Sequence, residues 1–510
     1  MSDASGIITD KKTRAIIIFC VVLATMMQTL DSTIANVALP HIQGALSGNQ
    51  EQIAWILTSY IVAAAITIPL AGWLAGYFGR KRVLLSSILG FVIASVLCGI
   101  STDLPEMVVF RFLQGVCGAA LIPLSQVILL NITPKEDYGK AMAIWGFGVT
   151  MGPILGPLLG GYLTEDYNRR WVFFINVPIG FVAFVGLTMF LTETKTQKSA
   201  FDFFGFLTLS IGVGALQLML DRGSIQDWFT SVEIITEAII SALGFYLFVI
   251  HVLTRSKSFL NLELFKDRNF TVAVILIFIV GVSLFATLAL LPAMLQNLFN
   301  YPVITTGAVT AAQGTGTMLA MLIVGHLLKR FDPRYVIGCG IAMVAFALWQ
   351  MTHYSLLMSS TGFILPGMIQ GFGTGLCFIP LGAVAFSNLT SELHNEGTSF
   401  FNLMRNLGSS IGISAVEAFL TSNTQIAHAL LGQHLTAYNS TNNLAYKLSH
   451  VDLTHSIGLK ILDVRLTQQA TMIAYINDFY LIMIVTLIVL PLIFFLRKTE
   501  KNHTPAIGIE

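Results

Sequence analysis

Long apolar stretches recur along the whole of this 510-residue chain, and they constrain its fold more than any other feature. A helix that crosses about 30 Å of hydrocarbon needs about 20 apolar residues, and fourteen stretches meet that requirement. Hydrophobic residues make up 55% of the chain and charged residues 11%, well below the roughly one quarter charged that is typical of soluble domains. The sequence therefore predicts an all-α membrane protein with 14 transmembrane helices. The predicted spans are 15–37, 53–75, 83–101, 107–131, 140–163, 172–192, 203–221, 232–254, 270–298, 303–328, 335–356, 361–387, 399–421 and 472–496.

Lysine and arginine are distributed unevenly between the two sides of these spans. With an even number of spans both termini lie on one side, and the segments on that side carry 20 of the 28 basic residues, whereas the opposite loops carry six. Cytoplasmic loops are enriched in Lys and Arg, so we expect a multi-pass protein of the cell inner (plasma) membrane with both termini cytoplasmic. The net charge of +1 offers no basic surface for nucleic acid.

Three short patterns recur in the same order in the two halves of the chain, which indicates an internal duplication. They pair 72–82 with 325–334, Gln114-Gly115 with Gln370-Gly371, and Asn131-Ile132-Thr133 with Asn388-Leu389-Thr390. Two parallel repeats of six helices are one recognised plan of secondary transporters, and fourteen spans leave two inserted helices. We expect an N-terminal six-helix half at 1–192, the two inserted helices and a cytoplasmic linker at 193–269, and a C-terminal six-helix half at 270–510 with an extracytoplasmic loop at 422–471.

Two charged residues lie inside predicted spans at similar depth. A charge in hydrocarbon costs at least ~2.5–3.5 kcal/mol, so it is seldom retained for stability. At 1.5 Å per residue, Asp31 lies ~24 Å in from the cytoplasmic side of the first span, and Arg111 lies ~8 Å below the outer surface in the fourth. An arginine that approaches and leaves a carboxylate changes its affinity for a proton. We expect Asp31 and Arg111 to couple transport to protons; the alternative is a static pair that fixes helix packing.

Other polar residues in the spans have more than one interpretation. Glu417 in the thirteenth span is either a second proton-coupling carboxylate, a contact for cationic substrates, or an exposed residue at a helix end. Candidates for the substrate path are Gln28, Asn36, Gln114, Gln126 and Arg405. Polar side chains in helix bundles also serve as simple helix–helix hydrogen bonds, and Arg405 could instead extend to the headgroups.

The fifth span is rich in small and helix-bending residues. Small residues allow close helix approach, and prolines bend a helix where a neighbour satisfies the freed carbonyls. We expect a tightly packed, pliable helix that keeps the closed state from leaking protons, or a helix packed closely for structure alone. The residues concerned are Gly152, Pro153, Gly156, Pro157, Gly160 and Gly161.

These motifs together resemble the 14-helix drug:proton antiporter family of EmrB/QacA type, within the major facilitator superfamily. Residues 30–40 are similar to its first-helix signature, and the run from Arg111 to Ala120 to its proton-coupling motif. Residues 152–161 are similar to the antiporter motif, and 171–180 to the start of the sixth helix. The end of the second span resembles the superfamily's loop signature, which implies gating or structural roles for Gly72, Gly79, Arg80 and Arg82, although Gly76 stands where that signature usually has Asp.

The resemblance implies a proton-driven antiporter that exports hydrophobic or amphipathic drugs by alternating access. In a Gram-negative cell it also implies a membrane-fusion adaptor and an outer-membrane channel as partners, beside drugs, protons and the lipid bilayer. The alternatives are export of a single endogenous metabolite such as a fatty acid or siderophore, or a transporter-like membrane sensor. No ATP-binding motif and no metal-ligand spacing occurs, so we expect no cofactor, no metal and no enzymatic activity.

Overall fold

The computed structural model describes residues 10–46, 50–134, 137–193, 200–255, 258, 260–390, 393–433 and 456–497. These residues are almost entirely helical, and no strand occurs among them. Helices α1 to α8 are Lys11–Leu46, Gln50–Phe78, Arg80–Ile100, Leu104–Gly118, Leu121–Ile132, Tyr138–Asp166, Trp171–Phe174 and Asn176–Phe190. Helices α9 to α16 are Phe203–Arg222, Val232–Thr254, Arg268–Asn297, Val303–Arg330, Pro333–Met351, Thr361–Ser387, His394–Gln433 and Ser456–Ile488.

Twelve helical segments among the described residues are long and apolar enough to cross a membrane. They confirm twelve of the predicted spans by length and composition. The remaining two, α6 and α15, are also long helices, but glycine and proline lower the hydropathy of α6, and α15 carries many polar residues. The predicted fourth span is two helices, α4 and α5, which meet at Ala119–Ala120. Pro123 lacks the N–H that would continue the hydrogen-bond ladder across this junction.

The helices form two bundles joined by a helical pair. In the first bundle, α1 packs against α6 and α8, and α2 against α4; in the second, α11 packs against α15, and α12 and α13 against α14. The bundles meet where α6 contacts α12 and α14, and where α15 contacts α2 and α5. Between them in sequence, α10 packs on α9 through the Ser241 hydroxyl, which donates to the Gly212 carbonyl at 2.9 Å, and α9 packs on α2.

Large apolar side chains cover the outside of the bundles. Phe181, Met189 and Phe494 are 67%, 71% and 81% exposed, and many Leu, Ile and Phe side chains on other helices face outward in the same way. A soluble protein seldom exposes apolar surface on this scale. The surface is that of a multi-pass membrane protein, with lipid as the solvent of its outer face.

The segment predicted as an extracytoplasmic loop, 422–471, is helical at both ends. Helix α15 continues to Gln433 and α16 begins at Ser456, while 434–455 lie outside the described residues. The two extensions contact each other through His428 and Asp463, whose Nε2 and Oδ1 atoms are 3.0 Å apart. The predicted extracytoplasmic segment therefore includes a helical extension at each end, because each span helix runs on past its apolar stretch.

Candidate functional site

The carboxylate of Asp31 lies fully buried inside the first bundle, where side chains from two other helices surround it. Arg111 Nη1 on α4 donates to Asp31 Oδ2 at 2.7 Å. Gln114 Nε2, one turn further along α4, donates to Oδ1 at 2.8 Å, and Asn176 Nδ2 at the start of α8 donates to the same oxygen at 2.7 Å. Asp31 and Arg111 are both 0% exposed. The depths estimated from the sequence thus correspond to a direct ion pair.

Arg111 is held by more than its carboxylate partner. Its Nη1 also donates to Gln114 Oε1 at 2.8 Å, and its Nε donates to the Ile56 carbonyl at 3.3 Å. The guanidinium lies 4.4 Å from the ring centroid of Tyr60 and 5.8 Å from that of Phe173. A buried ion pair repays its desolvation only when further hydrogen bonds and ring contacts satisfy both charges. Because both charges here have such contacts, the pair is compatible with a closed, dry bundle.

Asn176 links the Asp31 carboxylate to the side chain of Ser95 on α3. Its Nδ2 donates both to Asp31 and to the hydroxyl oxygen of Ser95 at 2.9 Å, and the Ser95 hydroxyl donates to the Phe173 carbonyl at 2.8 Å. The sequence analysis included Asn176 in a motif without assigning it to the site, and it missed Ser95. Both lie far from Asp31 in sequence; the packing of α8 against α1 brings Asn176 to the carboxylate, and the packing of α3 against α8 brings Ser95 to Asn176.

Helices α1 and α6 approach closely through two glycines of the fifth predicted span. A Cβ atom at Gly152 would collide with Thr29, and one at Gly156 would collide with Thr33. The Thr33 hydroxyl donates to the Gly152 carbonyl at 3.1 Å, which ties the helices together one turn from Asp31. These glycines therefore set how closely α6 lies against the helix that carries the buried carboxylate.

The other members of that glycine-rich run differ in their surroundings. Pro153 is half-buried and Gly160 is buried, whereas a Cβ at Gly161 would meet nothing within 4 Å. Pro157 lies within α6, but its side chain is outside the described residues, as is that of Asn36 within α1. Of this run, Gly152 and Gly156 make the close contact with α1.

A second polar group lies where the two bundles meet. Asn402 Nδ2 on α15 donates to Gln126 Oε1 on α5 at 2.9 Å, and both side chains are buried. Arg405, one turn along α15, is 6% exposed, with its guanidinium 5.7 Å from the ring centroid of Phe378. Among the described residues it forms no ion pair, so a buried cation without a carboxylate faces the junction. Gln28 is also buried, on α1.

The bundles are also joined at the face where α2 and α12 end, which we call the latch face. Arg80 Nε donates to Asn395 Oδ1 at the start of α15 at 2.7 Å, and a Cβ at Gly72 would lie only 3.0 Å from the Asn395 backbone oxygen. At the equivalent place in the second repeat, Lys329 Nζ lies 3.6 Å from Asp137 Oδ1, just before α6. Each bundle thus contributes the end of one helix to a contact with the other bundle.

Two further residues of the loop signature act within the first bundle. Gly79 has φ of 96°, a left-handed conformation that side-chain-bearing residues rarely adopt, and this lets the chain turn from α2 into α3. Arg82 lies 3.6 Å from Glu193, but its side chain is 75% exposed. Gly79 therefore shapes the connection, and Arg82 forms a solvated surface pair.

Glu417 lies apart from the Asp31 site. Its side chain on α15 is exposed, and its nearest carboxylate neighbour is Asp221 on α9. The Thr58 hydroxyl of α2 donates to Asp221, and the Ser414 hydroxyl of α15 donates to the Leu220 carbonyl at 2.8 Å. Glu417 therefore belongs to a polar group around the end of α9, and it is not among the partners of Asp31 or Arg111.

The sequence profile of the Major Facilitator Superfamily matches residues 21–413 of this chain. The chain is 36% identical over 480 residues to the multidrug export protein EmrB of Escherichia coli (strain K12), which covers 93% of this chain and 94% of that protein. It is 35% identical over 479 residues to the fatty acid resistance protein FarB of Neisseria gonorrhoeae, with the same two coverages. A double-tryptophan mutant of XylE superposes with a TM-score of 0.63 at 14% identity, covering 96% of this chain and 97% of that chain. At this low sequence identity, the similarity to XylE shows only a shared fold.

Proposed function

Because this chain belongs to the Major Facilitator Superfamily, in the group that includes the EmrB multidrug export proteins, we propose that it exports hydrophobic or amphipathic drugs in exchange for protons. The multidrug export function of the EmrB relatives supports a drug as the substrate. The observation that carries the proton step is the burial of Asp31 among three hydrogen-bond donors, one of them a guanidinium. The process is transport by alternating access, without covalent chemistry.

In the proposed cycle, Asp31 alternates between a charged and a neutral form. Protonation removes the charge that holds Arg111, so the pair weakens and the contacts of α1 with α4 and α8 can rearrange. Release of the proton on the other side of the membrane restores the pair. The close contact of Gly152 and Gly156 with α1 transmits this change to α6, which packs against α12 and α14 of the second bundle.

We place the protein in the cell inner membrane with both termini in the cytoplasm, on the basis of the Lys and Arg distribution. The latch face is then cytoplasmic, and the state described here is closed toward the cytoplasm. In this arrangement the halves at 1–192 and 270–510 move against each other, with the helices of 193–269 attached. The segment 422–471 lies outside the cell membrane, where we propose that it contacts a membrane-fusion adaptor leading to an outer-membrane channel.

A second candidate function is export of a carboxylate-bearing metabolite such as a fatty acid. Two observations favour it: the similarity to FarB, and the buried guanidinium of Arg405 beside the bundle junction. A cation in a low-dielectric site attracts an anionic headgroup strongly. In this alternative, Arg405→Gln abolishes fatty acid export and leaves the export of cationic drugs unchanged.

Drug efflux from a pump-deficient strain, with and without a proton uncoupler, tests the proposal. Asp31→Asn should abolish uncoupler-sensitive efflux while leaving membrane insertion unchanged, because asparagine keeps the size and loses the titration. Asp227→Asn is the matched control: it is an exposed residue at φ of 52°, a conformation that asparagine tolerates. Glu417→Gln tests whether a second carboxylate shares the coupling. Gradient-driven efflux by Asp31→Asn at the wild-type rate would refute the assignment.

A further inference from the structure

A second carboxylate is buried in the other bundle, with none of the partners that surround Asp31. Asp478 on α16 is 0% exposed. Neither of its oxygens has a hydrogen-bond partner among the described residues, and it takes part in no ion pair there. Asp31, which is equally buried, accepts hydrogen bonds from three side chains. The first bundle therefore holds a buried carboxylate with hydrogen-bond donors, and the second holds a buried carboxyl group with none among the described residues.

The surroundings of Asp478 are apolar and aromatic. Its neighbours along the buried face of α16, Tyr475, Phe479 and Ile482, belong to one hydrophobic cluster with Val416 of α15. The Phe479 ring lies 5.9 Å from that of Tyr354, which follows α13. An ionised carboxylate without donors in such a place is strongly disfavoured, whereas the neutral acid costs far less. These surroundings therefore favour the protonated form of the group over the carboxylate.

Among the described residues, none of the charged groups on the helices around Asp478 hydrogen-bonds to it. Tyr475 is within electrostatic reach of both Asp478 and Glu417. The cations of the packed helices are Arg268 on α11, Arg334 on α13 and Arg405 on α15, and none of them pairs with Asp478. The other titratable side chains described at this cluster are those of Tyr301 and Tyr354.

The depth of Asp478 resembles that of the first site. It lies six residues inside the predicted start of the last span, about 9 Å along the helix, and Arg111 has a similar depth below the same surface. Two turns deeper, Thr486 Oγ1 donates to the Ser283 hydroxyl of α11 at 3.2 Å, so α16 is fixed to α11 below Asp478. A movement that opens the outer end of this bundle would thus bring Asp478 to water first.

We propose that Asp478 is a second proton-binding site, which takes a proton from the outer side when the second bundle opens and carries it as the neutral acid in the closed state. A water-borne proton forms the O–H bond on entry, and the same bond breaks when the carboxyl next meets water on the other side. This inference rests on the proposed proton-driven function. With this site, each bundle has one proton-binding carboxyl group, and each transport cycle moves one more proton than Asp31 alone would carry.

The test is the proton-to-drug ratio of purified protein in proteoliposomes, obtained from the drug gradient that an imposed pH difference sustains. Loss of one proton per cycle should lower that gradient roughly tenfold for each pH unit imposed. Asp478→Asn should show this decrease while keeping drug binding, because asparagine resembles the protonated acid in size and charge. Asp463→Asn makes the same chemical change at an exposed position of the same helix, so it is the matched control and should leave the ratio unchanged.

Infrared difference spectra give a second readout. Wild-type protein at neutral pH should show the carbonyl band of a protonated carboxyl group, and Asp478→Asn should remove it. Should Asp478→Asn fail to reach the membrane, Asp478→Glu takes its place and should shift the band without abolishing it. A wild-type ratio in Asp478→Asn, or a band that Asp478 variants leave unchanged, overturns the inference and leaves the function intact. Wild-type protein that moves drug without any proton coupling overturns both.

Discussion

Replacing Arg80 by alanine should favour opening of the latch face. Its Nε donates to Asn395 Oδ1 at 2.7 Å, and this bond joins the first bundle to the start of α15 in the second. The side chain is half-buried, and a hydrogen bond from a charged donor contributes about 1.5–3 kcal/mol. We take the lower value because water reaches part of the guanidinium. A loss of about 1.5 kcal/mol raises the open-to-closed ratio roughly tenfold.

Thiol labelling at Ser399 measures that ratio. Ser399 is 2% exposed and packs beside Gly72 between the bundles, so Ser399→Cys should react with a water-soluble reagent only when the latch face opens. The five native cysteines are first replaced. When opening is fast relative to labelling, the rate follows the open population, so Arg80→Ala should label roughly tenfold faster.

Arg82→Ala supplies the matched control. Arg82 carries the same charge two residues away, but it is 75% exposed and pairs within its own bundle at 3.6 Å. Exposed pairs of this kind contribute about 0–1 kcal/mol, and this one does not join the bundles. Equal labelling rates in Arg80→Ala and Arg82→Ala would refute the conclusion that the Arg80–Asn395 bond closes the latch face.

Two other substitutions test the packing around the buried ion pair. Arg111→Ala leaves the Asp31 carboxylate buried without its cation, which should lower the free energy of unfolding by about 3–5 kcal/mol, whereas Arg111→Lys should retain more stability and more efflux. Thermal unfolding in detergent measures the stability, and the efflux assay measures transport. Equal losses in the two variants would indicate that the guanidinium geometry matters more than the charge. Gly156→Ala places a Cβ atom against Thr33 and should lower the free energy of unfolding by about 1–3 kcal/mol through overpacking. Gly161→Ala places its Cβ in open space and should leave the midpoint of thermal unfolding unchanged. Similar midpoints for the two variants would contradict the close contact of α1 with α6.

The buried ion pair could be predicted from the sequence because membrane depth is a one-dimensional quantity. Span boundaries and helical rise placed Asp31 and Arg111 at one level, and the structure has them 2.7 Å apart. Depth does not say which helices are neighbours, and for that reason Asn176 and Ser95 were not assigned to the site. Their contribution depends on how α3 and α8 pack around α1, which the residues of α1 alone do not encode.

Asp478 shows a different reason for an incomplete prediction. The signal that identified Asp31, a carboxylate inside an apolar stretch, is equally present in the predicted span 472–496. It was missed because no recognised motif surrounds it. The number of spans shows a related limit. The sequence predicts α6 and α15 as spans, but they contain many glycine or polar residues, and the length and hydropathy of the described helices identify the other twelve.

The two contacts at the latch face occupy equivalent places in the two repeats, but their chemistry differs. One joins a guanidinium to a neutral amide at hydrogen-bond distance, and the other is a pair of opposite charges, Lys329 and Asp137, at 3.6 Å on a half-solvated surface. Dissolved ions screen the second and hardly affect the first. The two contacts therefore respond differently to salt. As ionic strength rises, the contact between α12 and α6 weakens first, while the contact between α2 and α15 stays formed and acts as the hinge.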